Sequence, residues 1–412
     1  MMLNKILHVF AKYLPNKVRR EILPNVLGRF IARVMVAGRE IKYGTVTIVG
    51  FLSSTVGIGG GARLSYYALR DLGYDVNYVD AGKIFYWHNN ISLDFGAIAR
   101  HSEGGVIIFH LNPPELSIIL PLLGRRYVKH KKIVGYWAWE LETVPQKWMS
   151  GFHLVDEVWV PSSFVASALV KLTNIPVRIV RHPVRKPVLS LLVRRDFGLQ
   201  ETDFVVLTMF DMRSSAERKN PMAAIRAFRK AFNDRDDVIL IIKITNPSES
   251  RSVMDSIKRE IDGAKNIRIM FDKLSQEDNA SLINCSDVIV SLHRSEGFGL
   301  VLAESMLLGK PVIATAYSGN MDFMDSGCAI LINYKLIAVN DPQGIYKGAN
   351  IFWADPNIDE AAQWLVRLAC DPELRERFGD QARKKAEEVF SLNSFKNAIQ
   401  DSESLIAKVL SI

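Results

Sequence analysis

Residues 288–304 read VIVSLHRSEGFGLVLAE, and this stretch decides the fold class. The β-branched run Val288–Ser291 predicts a buried strand. Gly297 and Gly299 predict a tight turn, and the apolar residues beyond them predict a helix that ends at Gly309. A strand, a glycine-containing turn and a helix in this order are typical of α/β units on parallel sheets.

The same alternation of short apolar runs and longer amphipathic stretches continues through the chain from residue 44. The predicted strands are Thr45–Phe51, Asp75–Val79, Gly105–Phe109, Lys132–Tyr136, Glu157–Val160 and Val177–Val180 in a first set, and Phe204–Met209, Val238–Ile242, Ile267–Met270, Val288–Ser291, Val312–Ala314 and Ala329–Leu331 in a second. The basic, proline-containing stretch Arg181–Pro187 predicts an extended crossing between the sets. We therefore predict an α/β fold with two Rossmann-like doubly wound domains that face each other across a cleft.

The predicted boundaries follow from this restart of the pattern. Residues 1–43 form a basic amphipathic segment, 44–186 a first domain, 187–392 a second domain, and 393–412 a C-terminal helix that we expect to pack back on the first domain. Ligands of open α/β sheets bind beyond the carboxyl ends of the strands, so the candidate residues are sought in the loops that follow strands.

Composition excludes several classes of protein. Of the 412 residues, 48% are hydrophobic and 23% charged, which excludes a disordered or collagenous chain. The three cysteines, Cys285, Cys328 and Cys370, are widely spaced and form no Cys-x-x-Cys pair, so neither a disulfide framework nor a thiolate zinc site is predicted. Since His and Cys clusters of metal-ligand spacing are also absent from the sequence, we predict no metal, and a reducing cytosol fits this cysteine usage best.

The positive charge is concentrated at the N-terminus. The chain has a net charge of +8, and residues 1–42 carry nine Lys or Arg against two Glu. The rest is nearly neutral, so a nucleic-acid surface is not favoured. Apolar residues at helical spacing in residues 6–14 predict a basic amphipathic helix, which could lie on an anionic membrane surface or pack on the protein's own flank. We predict a cytoplasmic protein that could bind the inner face of the cell membrane, with no secretory signal and no spanning helix.

The strongest candidate site follows the strand Val288–Ser291. Glu296 and Glu304 lie eight residues apart, about two helical turns, so both could contact one elongated ligand. Carboxylates accept hydrogen bonds from pairs of sugar hydroxyls. The glycines between them allow close backbone approach, and the N–H groups at a helix start attract an anion. The alternative interpretation is a surface glutamate beside an ordinary turn.

A second candidate site follows the strand Phe204–Met209. Asn220 and Pro221 predict a helix start, so Arg218 and Lys219 would stand at a helix N-terminus. Cations are unfavourable there, and an anionic ligand such as a diphosphate would relieve the repulsion without a metal. Solvated surface cations are the alternative.

A glycine-rich stretch, Gly57–Arg63, follows the first strand and precedes the predicted helix Leu64–Leu72. With Asp80 at the end of the next strand, it partly matches a dinucleotide-binding fingerprint. Residues 52–56 separate the strand from the first glycine, whereas the dinucleotide turn opens directly from the strand. The glycines still predict backbone close to another group.

Two further residues follow first-domain strands. His110 stands beside two prolines and is either a structural hydrogen-bonding residue or a catalyst. Glu140 lies in a tryptophan-rich loop, an environment that can hold a sugar or alter the acidity of a carboxyl group.

Residues 296–304 are similar to the Glu-x7-Glu motif of retaining glycosyltransferases of the GT-B fold, family 4, also described as glycosyl transferases group 1. The other matching stretches are Tyr136–Glu142, Asp156–Ser162, Arg218–Pro221, Gly309–Thr315 and Ser318–Asn320. The resemblance covers about residues 44–392 and is closest in style to polysaccharide or O-antigen mannosyltransferases.

The resemblance implies roles for the matching residues. Glu304 would bind the ribose of a nucleotide sugar and Glu296 the hydroxyls of the transferred sugar. Lys219, with Arg218 or Arg213, would hold the diphosphate and stabilise it as it leaves, so Lys219 and Glu296 count among the catalytic residues. The remaining implied substrate-binding residues are Gly297, Phe298, Gly299 and Leu300 in the second domain and Gly60 and Gly61 in the first. Many family members have a histidine in the loop after Val134, whereas this chain has Glu140, so we expect Glu140 to be catalytic, with His110 second.

The leading hypothesis is therefore a retaining transferase that moves a hexose, by preference mannose from GDP-mannose, to a glycan or lipid-linked glycan acceptor in polysaccharide biosynthesis. It needs no cofactor beyond the nucleotide-sugar donor. An NAD-dependent oxidoreductase and a non-catalytic nucleotide-sugar-binding subunit are the alternatives.

Overall fold

The computed structural model describes residue 34 and residues 38–85, 104–348 and 350–400. The chain divides into two compact units, Met1–Pro183 with Phe390–Ile412, and Val184–Val389. This division falls three residues before the predicted boundary after residue 186. The predicted amphipathic helix of residues 6–14 lies outside the described residues, and its contact with a membrane or with the protein stays a prediction. In the described ranges, no helix has the length and apolar composition needed to cross a bilayer.

The first unit contains a six-stranded parallel sheet. Its strands are β1 (Thr45–Gly50), β2 (Val76–Asp80), β3 (Gly105–His110), β4 (Lys131–Tyr136), β5 (Glu157–Val160) and β6 (Val177–Ile179), in the order β2-β1-β3-β4-β5-β6. Its helices up to residue 183 are α1 (Gly57–Asp71), α2 (Gly82–Phe85), α3 (Pro113–Leu123), α4 (Arg125–Val128) and α5 (Ser163–Leu169). The order reverses between β1 and β3, which makes this pair the switch point of the sheet.

The second unit contains another six-stranded parallel sheet. Its sheet strands are β7 (Phe204–Asp211), β8 (Val238–Thr245), β9 (Ile267–Met270), β10 (Val288–Ser291), β11 (Val312–Thr315) and β12 (Ile330–Ile332), in the order β12-β11-β10-β7-β8-β9. Its helices are α6 (Ala216–Lys219), α7 (Pro221–Phe232), α8 (Arg251–Glu260), α9 (Gln276–Cys285), α10 (Leu300–Leu307), α11 (Ile358–Cys370) and α12 (Pro372–Val389). Counted from its own first strand and read from the β9 edge, the order is 3-2-1-4-5-6, which is that of a doubly wound Rossmann sheet.

The last described helix, α13 (Leu392–Gln400), belongs to the first unit. Its Phe395 and Ile399 are buried in one apolar cluster with Val46 and Ile48 of β1. Residues 401–412, the rest of the predicted C-terminal helix, lie outside the described residues.

The predicted α/β class with two doubly wound sheets is confirmed. All twelve predicted strands are present, and each end lies within three residues of its prediction. An antiparallel hairpin of β13 (Tyr334–Ala338) and β14 (Phe352–Pro356) was not predicted. Its first strand is mostly exposed, so it lacks the continuous apolar run that marked the buried parallel strands.

Candidate functional site

The order of the second sheet reverses between its two central strands, β7 and β10, which pair in parallel with Val206 opposite Val288. In open α/β sheets, ligands bind beyond the carboxyl ends of the strands at such a reversal. The chain after β7 holds Arg218 and Lys219, and the chain after β10 holds Glu296. Two loops that the sequence singled out separately therefore leave the sheet at one point.

The three charged side chains meet there. Glu296 accepts from Arg218, with the guanidinium nitrogen 3.1 Å from the carboxylate oxygen, and it also pairs with the Lys219 ammonium group. Only 3% of the Arg218 side chain and 9% of that of Glu296 are exposed, against 22% of Lys219. The guanidinium of Arg218 also donates to the carbonyl oxygens of Ser295 and Ser214 at 2.7 and 3.1 Å. Arg218 is therefore fixed from two sides, and Lys219 is the more accessible of the two cations.

The two cations determine the charge of Glu296. Burial alone would raise the pKa of this carboxyl, but the charges of Lys219 and Arg218 outweigh burial and lower the pKa to about 2. Glu296 is therefore ionised near neutral pH and acts as a hydrogen-bond acceptor rather than as an acid.

This shift predicts a pH dependence of stability. The folded-state pKa of Glu296 lies below its ordinary value of 4.5, so the stabilisation is present above pH 4.5 and is lost as the pH falls towards 2. We expect Glu296→Gln to remove roughly 3 kcal/mol of this pH-dependent stability. Urea unfolding of wild type and variant at several pH values measures it, and a difference that stays constant from pH 7 to pH 3 would contradict it.

A third loop holds the backbone of Glu296. The N–H of Glu296 donates to the Ser318 hydroxyl at 2.7 Å, and the N–H of Gly319 donates to the Glu296 carbonyl at 2.9 Å. A Cβ at Gly319 would lie 2.2 Å from the carbonyl oxygen of Gly297. The two backbones are therefore in contact, and only glycine fits at residue 319.

The glycine turn leads into α10. Gly299 has a φ of 102°, in the region that favours glycine, and α10 begins at the next residue, Leu300. The first N–H groups of a helix have no partner within it and can bind an anion. The side chain of Phe298 packs on Phe323 with ring centroids 5.0 Å apart, which leaves its backbone as the group to contact a ligand.

The spacing of Glu296 and Glu304 was expressed in helical turns, but the two residues do not share a helix. Glu304 lies within α10 and is half-buried, whereas Glu296 stands in the loop before the helix because Gly299 interrupts the helical backbone.

The predicted setting of Arg218 and Lys219 was also wrong in detail. They are the last residues of the short helix α6, and Asn220, with a φ of 51°, separates them from α7. The Asn220 side chain does not cap α7 but donates to the carbonyl of Leu292 at 3.0 Å. This bond ties the basic loop to the chain after β10.

Arg213 does not join Glu296 in the structure. Its guanidinium pairs with Glu249 at 3.0 Å, and both side chains are more than one third exposed. The structure thus brings Arg218 and Lys219 to the carboxylate and places Arg213 on another partner.

The glycines of the first unit lie inside a helix. Helix α1 begins at Gly57, not at Leu64 as predicted, so Gly59, Gly60 and Gly61 form its first turns. A Cβ at Gly61 would lie 2.3 Å from the ring of His182. Close packing of α1 therefore explains Gly61, and these residues do not form the strand-to-helix turn of a dinucleotide site. Gly60 is half-buried, and its N–H donates to Val56 at 3.0 Å.

His110 is buried in a stack of three rings. Tyr136 lies between His110 and His182, with ring centroids 4.3 and 5.0 Å away. Both ring nitrogens of His110 lack a hydrogen-bond partner. Burial lowers the pKa of His110 well below 6.5 and that of His182 to about 3, so both rings are neutral near pH 7. A ligand could supply the missing hydrogen-bond partners of this neutral imidazole at the end of β3.

Unpartnered polar atoms occur at the carboxyl ends of four neighbouring strands of this sheet. They belong to Ser53 after β1, Asp80 at the end of β2, His110 at the end of β3 and Trp137 after β4. Glu140 follows in the loop after β4 and is half-buried. Among the residues that the structure describes, no group of three or more His, Cys, Asp or Glu is arranged to hold a metal ion.

Comparison with known protein families identifies the part of the chain that carries the charged cluster. The family described as glycosyl transferases group 1 matches residues 193–385. Residues 193–385, just under half of the chain, are therefore similar to group 1 glycosyltransferases. Arg218, Lys219, Glu296 and Glu304 all lie within the matching residues, so the predicted resemblance to this family is confirmed for this part of the chain.

A curated relative matches with lower coverage. N-acetyl-alpha-D-glucosaminyl L-malate synthase of Bacillus anthracis is 26% identical over 200 residues, which are 48% of this chain and 44% of the synthase. This chain therefore aligns with less than half of the length of that relative.

Solved glycosyltransferase structures share the fold over a larger part of the chain. Anabaena HepE in complex with UDP has a TM-score of 0.62 at 14% identity and covers 87% of this chain and 99% of its own. A glycosyltransferase of Rickettsia africae has a TM-score of 0.60 at 16% identity and covers 88% of this chain and 100% of its own. For TarM of S. aureus the TM-score is 0.52 at 16% identity, with 72% of this chain but only 54% of TarM covered. At these identities the similarity shows the fold, which is the predicted GT-B type.

Sequence reasoning missed several residues that support the candidate site around Glu296. His293 is fully buried, and its ring nitrogens lie 3.0 Å from the Ser291 hydroxyl and 3.1 Å from the Asn320 side-chain oxygen. The hairpin residues Asp341 and Gln343 bond to the loop before α6. The turn-forming stretch Asp341–Gly344 indicates a loop, but no signal in the sequence pairs Asp341 with Ser215.

Proposed function

We propose that the chain is a retaining glycosyltransferase that transfers a hexose from a nucleotide-diphosphate sugar to a glycan or lipid-linked glycan acceptor. The observation that carries the proposal is the cluster of Arg218, Lys219 and Glu296 at the switch point of a group 1 domain. The two cations and the start of a helix suit a diphosphate, and the carboxylate beside them accepts hydrogen bonds as sugar hydroxyls require. The cluster therefore matches a ligand that joins a diphosphate to a sugar.

Each part of the donor has a candidate partner in the second unit. Lys219 and Arg218 bind the diphosphate, and the N–H groups of residues 297–300 contact the sugar and the diphosphate. Glu296 accepts hydrogen bonds from the sugar hydroxyls, which its low pKa allows because the carboxylate stays ionised. Glu304, one turn into α10, binds the ribose hydroxyls.

The chemistry rests on charge stabilisation. When the bond between the anomeric carbon and the diphosphate oxygen breaks, positive charge builds on the sugar and negative charge on the leaving diphosphate. Preorganised cations lower the barrier because they interact more strongly with this charge than with the ground state. The acceptor hydroxyl attacks from the face that the diphosphate leaves, and a diphosphate oxygen takes its proton, so the configuration is retained without an enzyme nucleophile.

The first unit is proposed to bind the acceptor. Its switch point carries the unpartnered groups of Ser53 and His110, which an acceptor hydroxyl could complete. Glu140 and neutral His110 remain the candidates for orienting the attacking hydroxyl. Gly60 remains the candidate for close approach of the backbone to the substrate. Gly61 is already in close contact with His182 and is the weaker part of that prediction.

Mannose from GDP-mannose remains the first candidate donor, as the sequence resemblance implied. UDP-linked sugars are further candidate donors, because HepE was solved with UDP and the Bacillus relative is named for an N-acetylglucosaminyl group. The alternative of an NAD-dependent reaction rested on Gly57 to Gly61 as a dinucleotide-binding turn. These residues lie in α1 instead, so the stretch no longer supports that alternative.

A binding screen followed by a turnover assay tests the proposal. Wild-type protein is heated with GDP, UDP, the matching monophosphates or NAD, and we expect one nucleoside diphosphate to raise the Tm more than its monophosphate and NAD to leave it unchanged. Release of that diphosphate from its sugar is then measured with candidate glycan acceptors. Protection by NAD alone would overturn the proposal, and diphosphate binding without turnover of any nucleotide sugar would favour a non-catalytic subunit.

A further inference from the structure

The hairpin of β13 and β14 bonds to the basic loop that precedes Arg218. The connection between its strands is residues 339–351, of which all but residue 349 is described, and we call it the hairpin loop. The side chains of Asp341 and Gln343 in this loop reach residues 212–216, more than 120 positions earlier in the sequence. The contact therefore joins distant parts of the chain, and polar groups make it.

Three hydrogen bonds make this contact. The Ser215 hydroxyl donates to one carboxylate oxygen of Asp341 at 3.0 Å. The Gln343 amide accepts from the N–H of Ala216 at 2.6 Å and donates to the carbonyl of Met212 at 2.9 Å. Both backbone groups flank Ser215, so the hairpin loop fixes the segment that enters α6.

The same carboxylate orders the hairpin loop itself. The second oxygen of Asp341 accepts from the N–H groups of Ile345 and Tyr346 at 2.8 and 3.0 Å. Tyr346 is 5% exposed, and its ring centroid lies 6.0 Å from the guanidinium carbon of Arg218. Asp341 thus connects to Arg218 twice, through Ser215 and through Tyr346.

Ser215 needs such support because its backbone is strained. Its φ is 61°, a region that residues with a side chain rarely adopt, and its hydroxyl oxygen also accepts from the N–H of Arg218 at 3.2 Å. Strained backbone persists where surrounding contacts determine it, and such sites cluster where ligands bind. Loss of Asp341 would let Ser215 relax and would move Arg218 and Lys219 with it.

We propose that Asp341 and Gln343 are positioning residues that hold Arg218 and Lys219 in the conformation that binds the diphosphate of the donor. This inference rests on the proposed function and adds that the side chains of Asp341 and Gln343 set affinity for the diphosphate group. Neither residue needs to touch the donor. The contribution of the hairpin loop to binding should therefore appear for ligands with a diphosphate and disappear for ligands without it.

Binding calorimetry with paired ligands tests this proposal. Wild type, Asp341→Ala and Gln343→Ala are titrated with the nucleoside diphosphate that protects wild type and with the nucleoside that lacks phosphate. We expect Asp341→Ala to weaken diphosphate binding about tenfold, the size of one lost hydrogen bond to a charged group, and to change nucleoside binding less than about twofold. Asp341→Asn keeps one acceptor oxygen and should restore part of the loss.

The controls separate positioning from general stability. Asn340→Ala changes an exposed neighbour in the same loop and should bind both ligands as wild type does. A purely structural role would lower the Tm of Asp341→Ala and leave the ratio of the two affinities unchanged, and that result would overturn the inference. Gln343→Ala keeps the test available if Asp341→Ala does not fold. Failure of wild type to bind any nucleoside diphosphate would overturn the proposed function instead.

Discussion

Replacing Lys219 with alanine is expected to lower kcat/KM for nucleotide-sugar turnover by about 100- to 1,000-fold, the range found when one preorganised electrostatic partner of a transition state is removed. Lys219 pairs with Glu296 and, with 22% of its side chain exposed, is more accessible to a ligand than Arg218, of which 3% is exposed. Since the diphosphate gains charge as the sugar leaves, most of the loss should fall on kcat rather than on KM.

A matched variant makes this result specific. Lys230→Ala removes a lysine from α7 of the same unit, where it pairs with Asp359 on the surface and is 57% exposed. Exposed ion pairs contribute little, so this control should keep wild-type kinetics. A loss of less than about threefold for Lys219→Ala would remove Lys219 from the proposed mechanism.

The second large effect is expected from Gly319→Ala. The added Cβ would lie 2.2 Å from the Gly297 carbonyl oxygen, so the loop after β11 and the glycine turn must separate. We expect the free energy of unfolding of the second unit to fall by about 3 kcal/mol, as for an overpacked core site. Turnover should fall by about 100-fold or more, because Glu296 and the N–H groups of the turn lose their position by a few tenths of an ångström or more.

Gly348→Ala is the control for this substitution. A Cβ there would meet the Ile351 side chain at 3.5 Å, which is ordinary van der Waals contact, and the residue has no positive φ. Chemical unfolding and donor turnover should both match wild type. Wild-type turnover of Gly319→Ala would show that the contact between the two loops is not needed for the site.

The parallel sheets could be predicted because local sequence determines their strands. A strand such as β10 is buried on both faces, and its apolar run Val288–Ser291 was bounded correctly from composition alone. The hairpin was missed because β13 is mostly exposed and is held by its pairing with β14, a contact that periodicity does not reveal. The start of α1 was misplaced because its four glycines are poor helix formers. In the structure these residues are helical and pack closely against His182 and Phe51, a tertiary contact that propensity does not include.

For the candidate site, the types of the residues and their positions after strands could be predicted from the sequence. The contacts between their side chains could not. That Arg218, Lys219 and Glu296 belong to one site followed from placing each after a parallel strand, and their ion pairs agree with this placement. Arg213 was named by the family resemblance as an alternative to Arg218, yet its side chain pairs with Glu249. Asp341 could not be found, because it lies 126 residues from the Ser215 that it contacts.

The membership of α13 in the first unit has a consequence for biosynthesis. The second unit is one continuous stretch, Val184–Val389, whereas the first needs Phe395 and Ile399 to cover its β1 face. A ribosome therefore releases every residue of the second unit before it delivers the helix that completes the first. The nascent first unit exposes apolar surface throughout that interval, and it is the part of the chain for which a chaperone has the most time to act.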